Sequence, residues 1–235
     1  MIEIKNLSKK FGKLTVLDQL DLSIDEGGIF AVLGPNGSGK TTLIKCILGM
    51  VIPDSGNILI QNESVLKKWA YRNDINYLPQ IANFPANLTV KELLDMVKNL
   101  RPKPASEERL IDLFGLQPFL DKKLGYLSGG TKQKVNLVLT FMFDSKLFIL
   151  DEPTNGLDPV SLIRLKGLIA EEKKKGKTIL ITTHIMSLVE EIADEIVFLL
   201  DGNIYFKGKV SSLKEKTQEK NLEHAIAKII TKEHV

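Results

Sequence analysis

Only one cysteine, Cys46, occurs among the 235 residues. Internal disulfides are therefore excluded, and its apolar neighbours predict a small buried side chain rather than a reactive thiol. No apolar run approaches the roughly 18 to 20 residues that a membrane-spanning helix needs. The opening MIEIKNLSKKFG alternates as a strand does and does not read as a secretory leader. The expectation is a cytoplasmic chain that does any membrane work through another protein. A charge excess is missing too: 32 basic against 29 acidic side chains leave +3, so composition supplies no nucleic-acid footprint and no nucleic-acid partner is expected. With 43% hydrophobic residues the chain can still build an ordinary packed core.

What the chain does have is concentrated in GPNGSGKTT, Gly34 to Thr42. It follows the apolar run Ile29 to Leu33 and precedes a pattern that puts Leu43, Ile44, Ile47 and Leu48 on one helix face before Gly49. Strand, loop and helix in that order make G-x-x-x-x-G-K-[ST] a phosphate cradle, where a lone glycine-rich turn would be only a connector. Gly37 and Gly39 let backbone N–H groups approach phosphate oxygens at the positive end of the helix dipole. Lys40 would reach the outer phosphates and Thr41 would offer its hydroxyl to Mg²⁺. Gly34, Pro35, Asn36, Ser38 and Thr42 complete the candidate nucleotide contacts.

Along the chain, MIEIKNL, LDLSI and GGIFAVL read as strands separated by the turns KKFGK and DEGG, and PDSG leads to the strand NILI. The middle third is helical: LTVKELLDMVKNL has Leu93, Met96, Val97 and Leu100 at helical spacing, and SEERLIDLFG starts at a Ser106 cap and stops at Gly115. LFIL and TILIT flank a helix from Pro159 to Lys175, the rhythm of parallel strands with crossover helices. IVFLLDGNIYFKG reads as a hairpin turning at Asp201 and Gly202, and Ser211 to Val235 as a helical tail in which His224 and His234 are solvated.

Two further stretches carry chemistry. In LFILDEP, Asp151 emerges at the C-terminal end of a buried strand, where ligands gather in open α/β sheets, and would orient Mg²⁺. Glu152 follows, placed to polarise a water; a solvated acidic turn is the competing reading. In YLSGGTKQK, Ser128 caps a helix with an apolar face of Val135, Val138, Leu139 and Met142, and Gly129 and Gly130 leave its first N–H groups open to an anion. An ordinary capped helix would look the same in isolation.

Together these residues resemble the ATP-binding cassette (ABC) ATPases. Over roughly residues 1 to 210 the family order is met by GPNGSGKTT, Gln80 in NYLPQ, LSGGTKQK, LFILDEP, NGLD at 155–158 and His184 in TTHIM. The resemblance implies an α/β fold: a P-loop NTPase core with a mixed sheet (1–82 and 144–210), an antiparallel β subdomain within it, an inserted helical subdomain (83–143) carrying the signature, and a helical tail (211–235). It implies a head-to-tail pair of cassettes, in which Ser128, Gly129 and Gly130 of one close over ATP held by the phosphate loop of the other. Phe11 would stack on adenine, Gln80 would touch Mg²⁺ and the attacking water, and His184 would act with Glu152 in hydrolysis. Thr131 and Lys134 stand where glutamine and arginine are frequent, and NGLD replaces the usual SALD, which leaves hydrolysis intact and bears on dimer affinity. A single cassette is similar to the detached ATPase of a transporter whose integral permease is a separate chain, held at the inner face of the membrane; DEPTNGLDP and the short tail are similar to the ABC-2 exporter group. INYLPQIANFPANLTVKELL also resembles the ATPase subunit that helps mature the copper centre of nitrous-oxide reductase. A non-transport ABC ATPase that clamps a soluble partner is the alternative.

Overall fold

The computed structural model describes residues 1–66, 68–101 and 103–233. Strands that must be covered on both faces read as unbroken apolar runs, and strands with one wet face alternate. Both kinds occur. β1 (Ile2–Phe11) and β2 (Leu14–Ile24) form an alternating hairpin, followed by the continuous β3 (Gly28–Leu33) and the first helix, α1 (Lys40–Ile47). After β4 (Ser55–Ile60), the short β5 (Glu63–Ser64) and β6 (Ile75–Leu78) come three helices, α2 (Val90–Leu100), α3 (Glu107–Phe114) and α4 (Gly129–Phe141). The chain then alternates: β7 (Leu147–Asp151), α5 (Pro159–Lys174), β8 (Thr178–Thr182), α6 (Met186–Ile192). It closes with the hairpin β9 (Glu195–Leu200) and β10 (Asn203–Gly208), then α7 (Val210–Thr217) and α8 (Leu222–Glu233).

The strands make two sheets. One is antiparallel in the order β2-β1-β4-β5; the other runs β10-β9-β3-β8-β7-β6 and is parallel except for β10. In β7 every residue is buried: Phe148 and Leu150 face a core shared with α2 to α5, while Leu147 and Ile149 face α1 and the antiparallel sheet. The parallel register aligns Val32 with Thr182, Thr182 with Asp151, and Leu150 with Leu78. The turns that leave β3, β6, β7 and β8 therefore start at one edge.

Several expectations change in detail. The turn read as KKFGK is only Gly12 and Lys13, because Lys9, Lys10 and Phe11 continue β1 opposite Leu17, Thr15 and Leu14 through irregular register, and the Lys9 ammonium meets Asp54 at 2.9 Å. Ser106 precedes α3 without capping it by its side chain; its N–H and hydroxyl both donate to the Met142 carbonyl instead. In α2 the buried face is Val90, Leu93 and Leu94, and Met96 and Leu100 point outward. Thr89 and Glu92 cap that helix reciprocally. The tail is two helices broken at Gln218, whose φ of 59° is left-handed; His224 is exposed, and His234 lies outside the described residues. Cys46 is fully buried, and burial pushes its thiol up to about 11.

One buried polar knot fastens the helices to the sheet. Asn76, 2% exposed on β6, donates to the Phe143 carbonyl at 2.7 Å and accepts from Arg101 and Ser145 at 2.8 and 2.9 Å. Arg101 also reaches the Ile75 carbonyl and lies over the Phe143 ring, so the end of α2 and the return into β7 are fixed together. Asn76→Ala would leave buried partners unpaired, and unfolding in urea is expected to show a loss of about 2 kcal/mol. An unchanged midpoint and slope would mean that the knot contributes nothing net.

Candidate functional site

The turn between β3 and α1 is shaped by what presses against it. A Cβ on Gly34 would lie 2.1 Å from the Leu199 carbonyl of β9, and one on Gly39 would lie 2.7 Å from the Val16 carbonyl of β2. Only glycine fits at either place, and Gly39, at φ 103°, turns the chain into α1. The Lys40 ammonium folds back to donate to the carbonyls of Gly34 and Pro35, at 2.7 and 2.9 Å. Burial pushes its pKa below the ordinary lysine value, against the opposing pull of Glu152 and Asp151. The first turn of α1 carries no acidic side chain, so its N–H groups and the lysine present one positive face. Ser38 is 2% exposed, and its hydroxyl has no hydrogen-bond partner among the described residues.

This turn forms one wall of a cleft of about 280 Å³, through Asn36, Gly37, Gly39, Lys40, Thr41 and Thr42. Gln80, two residues beyond β6, together with Asp151 and Glu152, forms another part of the lining. Leu14 and Val16 of β2 also line it. The two acids are held by Thr182 at the end of β8: its hydroxyl donates a short hydrogen bond to Asp151, and its carbonyl and hydroxyl oxygens accept from the Glu152 N–H at 3.0 and 3.2 Å. Glu152 has a left-handed φ of 49°, a conformation that costs a non-glycine residue roughly 1–2 kcal/mol. It is 7% exposed, and no donor is aimed at its Oε2. The Nδ1 of His184 lies 3.0 Å from that oxygen, but off the direction of a hydrogen bond; the imidazole itself is largely exposed.

Ser128 stands at the N-terminus of the thirteen-residue α4, its Oγ accepting from the Thr131 N–H at 3.3 Å, and with Gly129 it is exposed. A Cβ on Gly130 would strike the Gly156 carbonyl at 2.6 Å, so the helix start lies directly on the NGLD turn, where Gly156 has φ 71°. Lys134 binds Asp158 at 2.7 Å; this bond and those from Ser161 hold the Asp158 carboxyl far below the usual carboxylate range. Among the described residues, the lining of the cleft includes neither Ser128, Gly129 and Gly130 nor Phe11. Phe11 is half exposed at the end of β1, with the Lys9 ammonium 5.3 Å from its ring centre. The structure thus gathers Asn36 to Thr42, Gln80, Asp151, Glu152 and His184 at one sheet edge and leaves the α4 terminus facing outward.

Some participants were missed in the sequence. Thr182 had a signal, a polar residue closing a buried strand; so did Gln133 and Asn136, two amides three residues apart within an apolar helix pattern. Leu14 and Val16 looked like ordinary members of an alternating strand.

The sequence profile of the ABC transporter family matches residues 17–155. The lantibiotic transport ATP-binding protein of Streptococcus pyogenes is 34% identical over 229 residues, which span 95% of this chain and 94% of the relative. Nod factor export ATP-binding protein I of Burkholderia orbicola is 34% identical, over 91% of this chain and 72% of its own. A dimeric ATP-binding cassette solved in a post-hydrolysis state with ADP and Pi superposes with a TM-score of 0.80 at 25% identity, over 89% of this chain and 98% of that one. The cleft at the sheet edge and the likeness along nearly the whole chain agree: this chain belongs to the ABC transporter family, as its ATP-binding, ATP-hydrolysing subunit.

Proposed function

We propose that the chain drives export by pairing head-to-tail with a second cassette around two ATP molecules, with the membrane path supplied by separate integral permease subunits. The observation that carries the hydrolytic part is the buried Glu152 oxygen without a donor, on the lining of the cleft that also holds Lys40. An acceptor kept dry and unsatisfied takes a proton from a water that a γ-phosphate brings to it. Lys40 exchanges its bonds to two neutral loop carbonyls for phosphate oxygens, and the N–H groups of Gly37, Gly39 and Thr41 surround the same charge. His184, beside Glu152 at the rim, orients that water from the exposed side.

The donor set fits Mg²⁺: the Thr41 hydroxyl, the Gln80 side chain and the Asp151 carboxylate all line this cleft and are oxygen donors suited to a hard cation. Bound there with the nucleotide, the ion would neutralise charge on the β and γ phosphates. The exposed α4 terminus supports a role toward a partner's nucleotide, with Ser128 and the amides of Gly129 and Gly130 contacting the γ-phosphate from across the interface. Phe11 offers a face for adenine beside Leu14, its partner in register in the β1–β2 hairpin.

In this reading residues 83–143 form the arm that carries the signature, and 1–82 with 144–210 the nucleotide-binding core. Transport and export in the names of the two relatives support the direction. The absence, among the described residues, of a helix long and apolar enough to cross a membrane supports a peripheral subunit held at the inner face by its permease.

Three substitutions test this. Glu152→Gln is expected to bind ATP, hydrolyse it at least about 100-fold more slowly, and shift from monomer to dimer in light scattering when ATP is added without Mg²⁺; normal turnover would remove Glu152 from the chemistry. Lys40→Ala should weaken ATP binding at least about ten-fold, the equivalent of one charge-assisted hydrogen bond, and unchanged affinity in calorimetry would contradict the phosphate-loop role. Ser128→Arg should abolish dimer formation while the monomer still binds ATP. Loss of monomer binding as well would mean that Ser128 serves its own subunit's nucleotide.

A further inference from the structure

Helix α4 touches its own subunit's site at two points that the phosphate contacts do not require. Gln133 and Asn136 are 5% and 4% exposed, polar residues inside a helix otherwise buried through Val135, Leu137 and Val138. Each spends its amide on a single backbone carbonyl. Asn136 Nδ2 donates to Pro79 at 3.2 Å, and Gln133 Nε2 donates to Pro153 at 3.0 Å. Pro79 immediately precedes Gln80, and Pro153 immediately follows Glu152. A proline has no N–H, so its carbonyl is the only backbone group through which the chain can be held by hydrogen bonding at that residue. Both are held, and from the same helix three residues apart, a spacing that puts two side chains on neighbouring positions of one face.

The far end of the same helix is the exposed Ser128 and Gly129. With a rise of 1.5 Å per residue, Ser128 and Asn136 are roughly 12 Å apart along a stiff rod. A shift at the tip therefore reaches both prolines without passing through a loop. The outer ties, Lys134 to Asp158 and Gly130 against Gly156, fix the tip to the turn after Glu152 but do not reach the Gln80 arm. Only Asn136 does.

We propose that Gln133 and Asn136 are positioning residues that tie α4 to both arms of its own nucleotide site, so that engagement of the partner's nucleotide by Ser128 to Gly130 aligns Gln80 and Glu152 in the same chain. The inference rests on the head-to-tail pairing proposed above. It makes the two sites communicate through buried amides, and hydrolysis in the dimer becomes cooperative because closing one site sets the geometry of the other.

The test measures ATP hydrolysis against ATP concentration for the wild-type chain, Asn136→Ala and Gln133→Met. Asn76→Ala serves as a control, since it removes a buried amide from β6 whose hydrogen bonds go to Phe143, Arg101 and Ser145 and not to Pro79 or Pro153. ATP affinity without Mg²⁺ is measured in parallel by calorimetry, and ATP-driven association in each protein combined with Glu152→Gln. For Asn136→Ala and Gln133→Met we expect monomer affinity within about two-fold of wild type, kcat lower by about ten-fold as for loss of one buried hydrogen bond, and a Hill coefficient falling from about 2 toward about 1. Asn76→Ala should melt earlier yet keep its Hill coefficient. Unchanged kcat and cooperativity in both α4 variants would overturn the inference. So would an equal kinetic loss in Asn76→Ala, which would make the amides merely structural. Should Asn136→Ala not fold, Gln133→Met, whose side chain keeps its volume, decides by the same readings. Failure of the Glu152→Gln protein itself to associate with ATP would instead overturn the paired reading and the coupling that depends on it.

Discussion

The parallel register of β3, β8, β7 and β6 is the constraint on which the site depends. With Val32, Thr182 and Asp151 level across three strands and Leu78 level with Leu150, four segments that leave the sheet do so from one edge. The phosphate loop, Gln80, Asp151 with Glu152, and His184 all lie within a few residues of that line. A slip of one residue in any of these strands would turn its side chains to the opposite face. It would bring a residue such as Phe148 toward the core meant for Leu147, and it would carry the acid or the loop away from the others. The packing of the two cores and the placing of the site are thus enforced by the same contacts.

Charge at that edge is kept apart by the way Lys40 and Asp151 are bonded. Lys40 satisfies itself on neutral carbonyls of its own loop, and among the described residues it forms no ion pair with the two acids that line its cleft. An ion pair would compete with phosphate; a carbonyl contact is surrendered at much lower cost. Asp151 is pinned by Thr182, whereas Glu152 keeps an oxygen unsatisfied in a buried, left-handed backbone position. Strain and an unpaired acceptor are each unfavourable for folding alone. Their coincidence at one residue, on the lining of the cleft that also contains Lys40, is unlike a solvated acidic turn and supports the role proposed for Glu152.

Much of this was legible in the sequence because it rests on local rules. Continuous apolar runs gave the central strands, glycine spacing gave the turn from β3 into α1, and Asp201 with Gly202 gave the last hairpin. Features fixed by distant partners were not legible. Lys9 and Lys10 read as a turn, yet tertiary pairing with β2 and with Asp54 keeps them in β1. Ser106 has the sequence of a cap but turns its hydroxyl to Met142, far along the chain. Met96 and Leu100 have the spacing of a core face, yet the face is chosen by what α2 meets, and it meets the rest through Val90, Leu93 and Leu94. Leu14 and Val16 became cleft residues only because β2 crosses beside Gly39.

The helix α4 carries two obligations that pull in different directions. Its start is bare, with Ser128 and Gly129 exposed, as the proposed contact with a partner's nucleotide requires. Its body has to be buried, and burial of Gln133 and Asn136 demands partners for their amides. Meeting that demand with the carbonyls of Pro79 and Pro153, rather than with neighbours inside the helical segment, joins an outward-facing surface to an inward-facing cleft. An apolar pair at those positions would pack without orphaning its own side chains, but would take the partners from the half-buried Pro79 and the buried Pro153 carbonyls and leave the two arms of the cleft without a common reference. Specificity of position, more than net stability, is what such buried amides supply.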